Sequence, residues 1–206
     1  MWVFLIITVT AGYLLGNLNG AVLISHFLGD DVRSHGSGNA GLTNFIRSYG
    51  SGRSLAVIAI DAGKAVVGCV LGGLLLQPYL GFQTGATLGG AGVMLGHVFP
   101  VFLGFKGGKG ILSGLFIAIV TDWRVALIIL AVFAVAYLLT QYVSLGSVLS
   151  ASAFSVSFLI LHSDEPIMMY CGFFMGLLAV GMHWQNIIRL VKGQERKTNL
   201  FKKDKA

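Results

Sequence analysis

Ile111-Leu-Ser-Gly-Leu-Phe-Ile-Ala-Ile-Val-Thr-Asp-Trp-Arg-Val-Ala-Leu-Ile-Ile-Leu-Ala-Val-Phe-Ala-Val-Ala-Tyr-Leu-Leu-Thr140 decides how many times this chain crosses a membrane. Read as one span, it puts Asp122 and Arg124 at the bilayer centre, at a cost of about 2.5–3.5 kcal/mol each. Read as two, it leaves residues 111–121 as a segment of about 11 residues, well short of the ~20 needed to cross. Charges elsewhere arbitrate. With seven spans and an outside N-terminus, Arg33, Arg47, Arg53, Lys106, Lys109 and the tail all face the cytoplasm, as positive loops do. The acidic loop His162–Pro166 then lies outside, and only Arg124 departs from the rule. Six spans would put the tail opposite the first basic loop. The expected fold is therefore an all-α seven-span helical bundle, N-terminus outside and C-terminus cytoplasmic. Its fourth span is short, tilted or only partly crossing.

Composition supports the membrane reading. Of 206 residues, 55% are hydrophobic and 11% charged, with a mean hydropathy of +0.82. A soluble chain carries roughly twice that charge. The apolar segments run over about 1–28, 55–76, 85–104, 111–121, 125–141, 145–161 and 167–186. Residues 1–206 read as one domain, with 192–206 a basic cytoplasmic tail. Glycines recur at four-residue spacing, which lets membrane helices approach closely: Gly12, Gly16 and Gly20; Gly68 and Gly72; Gly85 and Gly89; Gly92 and Gly96; Gly172 and Gly176. Six of the fourteen Lys/Arg lie between Lys192 and Lys205. Beside a span, such a tail marks the cytoplasmic side and contact with anionic lipid rather than nucleic acid. Trp2, Trp123 and Trp184 fall at expected interfaces. Cys69 and Cys171 sit in apolar runs as small hydrophobes, with no disulfide or metal site. Residues 1–16 lack a basic leader and a clean cleavage motif, and read as a retained first span.

Three polar segments carry chemistry, and the chosen topology puts all three at the cytoplasmic face. The first runs from Ser34 to Arg47. Gly36, Gly38 and Gly41 free backbone amides. Ser37, Asn39, Thr43 and Asn44 add neutral donors, and the Arg47 fork suits phosphate. A helix beginning near Ala40 would aim its N-terminus at the same place. The alternative is a flexible loop with helix caps. The second runs from Gly96 to Gly110, where Lys106 and Lys109 flank Gly107 and Gly108. Amides and ammonium groups could cradle a phosphate. It is not a nucleotide P-loop, because Leu103 and Gly110 stand where that pattern needs Gly and Ser or Thr. Taken alone it reads as an ordinary turn with topogenic lysines, and His97 as a hydrogen-bonded structural histidine. The third runs from Gly181 to Glu195, where His183 and Asn186 share a helix face and Arg189 follows. A polar membrane-exit helix is the competing reading. Asp61 and Lys64 read as a structural pair inside the second span. Ser144 offers a hydroxyl in a further turn. No G-x-S-x-G elbow occurs, and the histidines lack metal-ligand spacing. His26 and Asp31 are five apart by chance.

Taken together, Gly36-Ser-Gly-Asn-Ala-Gly-Leu-Thr-Asn44 with Arg47, Gly96–Gly110, and His183–Glu195 resemble the three motifs of the PlsY family of acyl-phosphate:glycerol-3-phosphate acyltransferases. The resemblance spans nearly the whole chain. Met182 stands where the family usually carries Arg, so no charge beside His183 is carried over. The resemblance implies a multi-pass enzyme of the bacterial inner membrane whose active site faces the cytoplasm. It implies roles for Ser37, Arg47, His183 and Asn186 in catalysis. Substrate contacts would come from Gly38, Asn39, Thr43, Asn44, Lys106, Gly107, Gly108, Lys109, Gly110 and Ser144, with Glu195 structural. Acyl phosphate and glycerol-3-phosphate are the implied substrates, membrane lipids the surroundings. No cofactor, metal or nucleic acid is expected, and the chain is expected to act as a monomer. No nucleophile–base–orienter set is visible, so direct transfer without an acyl-enzyme is expected. The rival reading is an organophosphate or anion transporter, against which stands the lack of a duplicated half.

Overall fold

The computed structural model describes residues 1–198. The described residues are helical and irregular, with no strand. Ten α-helices follow in order: α1 Trp2–Gly16, α2 Gly20–Phe27, α3 Leu42–Tyr49, α4 Ser54–Leu80, α5 Phe82–Val98, α6 Ile111–Thr121, α7 Trp123–Thr140, α8 Val143–Leu161, α9 Pro166–Met182 and α10 Trp184–Val191. Five segments are long and apolar enough to cross a membrane: Trp2–Phe27, Ser54–Leu80, Phe82–Leu103, Trp123–Thr140 and Val143–Leu161. Helix α9, with 17 residues, reaches a spanning length only when taken together with α10, across a bend of 55°. Helix α6 is apolar but has only 11 residues.

The deciding stretch is two helices. Helix α6 stops at Thr121 because Asp122 is extended, at φ −158° and ψ 106°. The Asp122 carboxylate accepts the Arg124 N–H at 2.9 Å and so caps α7. It also pairs with the Arg124 guanidinium at 2.7 Å and lies 3.0 Å from His162 Nε2. The two charges satisfy each other at a helix junction instead of standing alone in a long span.

Helix α5 is the most enclosed, packed by glycine against α1 and α4. A Cβ at Gly96 would lie 2.0 Å from the Tyr13 carbonyl oxygen, and one at Gly16 2.3 Å from that of Val93. On the other side, a Cβ at Gly89 would lie 2.2 Å from the Gly68 oxygen, and one at Gly72 2.4 Å from that of Gly85. The four-residue glycine spacings therefore mark the helix contacts themselves. Gly172 and Gly176 do the same for α9 against Phe158 and Ala151 of α8.

The bundle has two unlike ends. At one, Phe4 near the start of α1 stacks on Tyr79 at the end of α4. That end also holds Asp122 with His162, and Thr84 donating to Glu165 at 2.9 Å. The other end gathers the irregular segments. Arg33 donates to the Leu103 carbonyl at 3.4 Å. Tyr137 Oη donates to the Thr198 carbonyl at 2.9 Å, and Thr198 N–H donates to the Gln141 carbonyl at 3.0 Å. The part of the basic tail beyond residue 198 lies outside the described residues.

Candidate active site

Each site segment is shaped by local chemistry. In the first, Gly36 and Gly38 take φ of 57° and 70°, in the left-handed region that favours glycine. A Cβ at Gly36 would strike Asn44 Oδ1 at 2.3 Å. Asn44, from α3, holds the turn closed. Its Oδ1 accepts the Ser37 N–H at 2.9 Å, and its Nδ2 donates to the carbonyls of Val32 and His35 at 2.9 and 3.1 Å. Asn44 is thus a scaffold residue, its hydrogen-bonding capacity largely spent on the loop. Helix α3 begins at Leu42, two residues later than the sequence suggests, and carries Arg47 on its last turn.

In the second segment, Gly107–Gly110 folds back on the end of α5. The Gly108 N–H donates to the His97 carbonyl at 3.1 Å. A Cβ at Gly107 would meet that same oxygen at 2.0 Å, and one at Gly110 would meet Met94 Sδ at 2.2 Å. The loop therefore descends from His97 to Met94, about one helical turn deeper. Irregular backbone at such depth is tolerated where it lines a cavity. This descent is why α6 is short.

In the third segment, His183 sits at the bend between α9 and α10 rather than within a helix. Its Nδ1–H donates to the Ala179 carbonyl at 2.7 Å, which leaves Nε2 as the ring's acceptor. Asn186, on the first turn of α10, accepts from Lys109 Nζ through Oδ1. Its Nδ2 donates to Glu195 at 3.0 Å, and Arg189 Nε donates to the other Glu195 oxygen at 2.7 Å.

These segments converge on one cavity of about 330 Å³. Its polar end is lined by Ser37, Asn39, Thr43, Asn44, Arg47, Lys109, Gly110, Ser144, His183 and Asn186. Its other end runs between helices past Leu115, Ile129, Phe133, Phe154 and Met175. Gly38, Gly107 and Gly108 shape the loops without lining the cavity, and Lys106 is exposed away from it. A second, polar cavity of about 410 Å³ adjoins the first and shares Ser37, Arg47, Arg189 and Glu195 with it.

The polar end is cationic and partly dry. Burial pushes the Lys109 ammonium down to about 8, helped by the Arg189 and Arg47 cations and opposed by Glu195. Burial likewise lowers Arg47. Burial pushes the Glu195 carboxyl up, but hydrogen bonds from Arg189 and Asn186 hold it below its ordinary value. Among the described residues Glu195 is the single acidic partner amid Arg47, Lys109 and Arg189, so positive charge is left over for a ligand. The amide end of α6 opens on the same place, through Gly110, Ile111 and Leu112.

A family model for glycerol-3-phosphate acyltransferase matches residues 6–193, nearly the whole described chain. The chain belongs to that family. A glycerol-3-phosphate acyltransferase from Anaeromyxobacter dehalogenans (strain 2CP-C) is 39% identical over 193 residues, covering 93% of this chain and 96% of that one. One from Finegoldia magna is 35% identical over 201 residues, covering 95% and 97%. Among solved structures, PlsY (YgiH), an integral membrane glycerol 3-phosphate acyltransferase, superposes in its glycerol 3-phosphate form with a TM-score of 0.85. That match has 29% identity over 96% of this chain and 99% of that one. The lysophosphatidic acid form gives 0.81, with 30% identity and 95% of each chain. The chain is thus a multi-pass integral membrane protein of the PlsY family.

Two residues that hold the loops around this cavity were missed in the sequence. Asn17 and Asn19 sit at the break between α1 and α2. Asn19 Nδ2 donates to the Ala40 carbonyl in the first loop at 2.9 Å, while its Oδ1 caps α2. Asn17 Oδ1 accepts the Phe102 N–H in the second segment at 3.2 Å. One break therefore holds the first and second segments together. Two amides inside an apolar run were a usable signal, since polar groups at that depth are costly. The apolar wall carries no comparable signal, because lining and core residues are alike in composition.

Proposed function

We propose that the protein transfers a fatty acyl group from acyl phosphate to the 1-hydroxyl of glycerol-3-phosphate, giving lysophosphatidic acid and inorganic phosphate. This would be the first acylation step of phospholipid synthesis. The observation that carries the reading is the shape of one cavity: a cationic head of Arg47, Lys109 and the amide end of α6, continuous with an apolar arm between helices. That shape fits an amphiphile with a phosphate head.

Acyl phosphate is a mixed anhydride, already activated. The glycerol hydroxyl oxygen attacks the acyl carbon, the bond between that carbon and the bridging oxygen breaks, and phosphate leaves with the bridging oxygen and the electron pair. The two reactants are both anionic, so bringing them together is the main task. Positioning contributes up to about 7–11 kcal/mol, and each donor aimed at the developing oxyanion roughly 3–4 kcal/mol. The Ser37 hydroxyl and the Asn39 side-chain amide suit the second role, with Thr43 and Ser144 as neutral donors. Two acceptors fit the hydroxyl proton: His183 Nε2 and the leaving phosphate. His183→Gln separates them. A near-normal kcat with raised KM assigns the proton to phosphate, and a 10²–10⁴-fold fall in kcat assigns it to His183.

Seven crossings, with the N-terminus outside and the site at the cytoplasmic face, are part of the same reading. Support comes from the basic residues: Arg33, Arg47, Arg53, Lys106, Lys109, Arg189, Lys192, Arg196 and Lys197 belong to the loops and short helices of the site end, while Arg124 belongs to the other end. The test uses purified protein and compares donors. Acyl phosphate should support lysophosphatidic acid formation, an acyl thioester should not, and no acylated protein should accumulate when glycerol-3-phosphate is withheld. Equal use of the thioester, or a trapped acyl-enzyme, overturns the donor and the direct transfer respectively.

A further inference from the structure

Asp61, Lys64 and His97 form a charged cluster inside the bundle that the reaction above leaves without a task. All three are at most 4% exposed. A buried ion pair contributes little net stability, and apolar replacements are often neutral. Its contacts suggest another use. Lys64 Nζ pairs with Asp61 Oδ1 at 2.8 Å and donates to the Leu18 and Gly16 carbonyls at 2.6 and 3.3 Å. Asp61 accepts the Gly20 N–H at 3.2 Å. The pair thus satisfies backbone groups freed by the α1–α2 break. Lys64 also donates to His97 Nδ1 at 2.8 Å, its three N–H groups serving four acceptors with the longer Gly16 contact shared. A neutral His97 accepting there carries its proton on Nε2. That edge of the ring abuts the glycine loop: a Cβ at Gly108 would lie 2.2 Å from Nε2. The His97 carbonyl holds the Gly108 N–H on the same turn. Asp61 and His97 also line the cavity wall.

We propose that His97, held in one orientation by Lys64 and Asp61, is a positioning residue that sets the Gly107–Gly110 turn for phosphate. The inference rests on the reading that this loop seats a phosphate group. It acts on affinity, not on bond making. The test uses inorganic phosphate, the expected product, both as an inhibitor of turnover and as a directly bound radiolabelled probe, with full-length protein in nanodiscs. His97→Ala should raise the inhibition constant for phosphate at least tenfold and raise KM for one phosphate-bearing substrate in parallel. His97→Asn keeps an acceptor for Lys64 and so protects the fold, yet withdraws the ring from Gly108; it should show the same rise. Lys64→Met should act in the same direction, and the double variant with His97→Ala should be no worse than either single change. Variants that lose only active protein, with the inhibition constant and KM unchanged, overturn the proposal, as does a double variant whose effect is the product of the two. The two readings fail separately. Phosphate binding that depends on His97 in a protein making no lysophosphatidic acid sinks the reaction alone. Turnover indifferent to His97 sinks the positioning role alone.

Discussion

At the scale of single residues, Lys109 is where stability and function pull apart. Folding buries its ammonium and lowers its affinity for a proton to about 8 from the ordinary 10.5. Between those values the unfolded chain binds more protons than the folded one, so this group makes stability rise with pH over that window. Below about 8 the protein carries the full cost of a confined cation. Lys109→Met should therefore raise the thermal midpoint of the ligand-free protein at pH 7 while reducing acyl transfer by at least tenfold. A lower midpoint would show that its bond to Asn186 outweighs the burial. Phosphate affinity in the unmodified protein should weaken as pH rises through about 8 toward 10, and Lys109→Met should flatten that dependence. Titrating phosphate inhibition across pH 7.5–9.5 checks both. Gly107→Ala makes a steric prediction. Its Cβ would meet the His97 oxygen at 2.0 Å, so the loop must lift, and KM for a phosphate-bearing substrate should rise with kcat less affected.

Helices and loops were legible to different degrees. The break at Asp122 could be read from charge cost together with the distribution of loop charges, and the glycine spacings marked where helices approach closely. The paired charge of Asp61 and Lys64 was also legible, since three-residue spacing puts both on one face. The interruption at Asn17–Asn19 was passed over despite its two amides, because the run from 1 to 28 remains apolar enough to pass as one span. Nor could sequence show that the second motif sinks toward Met94, since depth is set by where α5 ends. Residues also divide by what they hold: Asn44, expected at the substrate, spends its amide on the loop around Ser37, and Lys106 is exposed and does not line the cavity. Two predictions belong here. Asn19→Ala removes the α2 cap and the tether to Ala40, and should cost about 0.5–2 kcal/mol through the cap alone, with an added loss of turnover. Gly96→Val puts side-chain atoms into the Tyr13 backbone. It should destabilise by more than the ~1–3 kcal/mol of ordinary overpacking, read as a fall in thermal midpoint in detergent.

Across the whole molecule, polarity follows the two ends of the bundle. One end clasps Asp122 with Arg124 and His162 and contributes no residue to the cavity. The other gathers three sequence-distant segments and most of the positive charge. A cysteine placed at Arg53 should be labelled by a membrane-impermeant reagent only from the cytoplasmic side, and one at Asp164 only from outside; the reverse pattern would invert the proposed orientation. The central claim is that one cavity brings two phosphates together and joins them by acyl transfer. Its most direct test follows radiolabelled glycerol-3-phosphate with purified protein in sealed vesicles supplied with acyl phosphate. The expected result is one lysophosphatidic acid in the bilayer for each inorganic phosphate released. Label collecting unchanged in the vesicle lumen, with no lipid product, would contradict it.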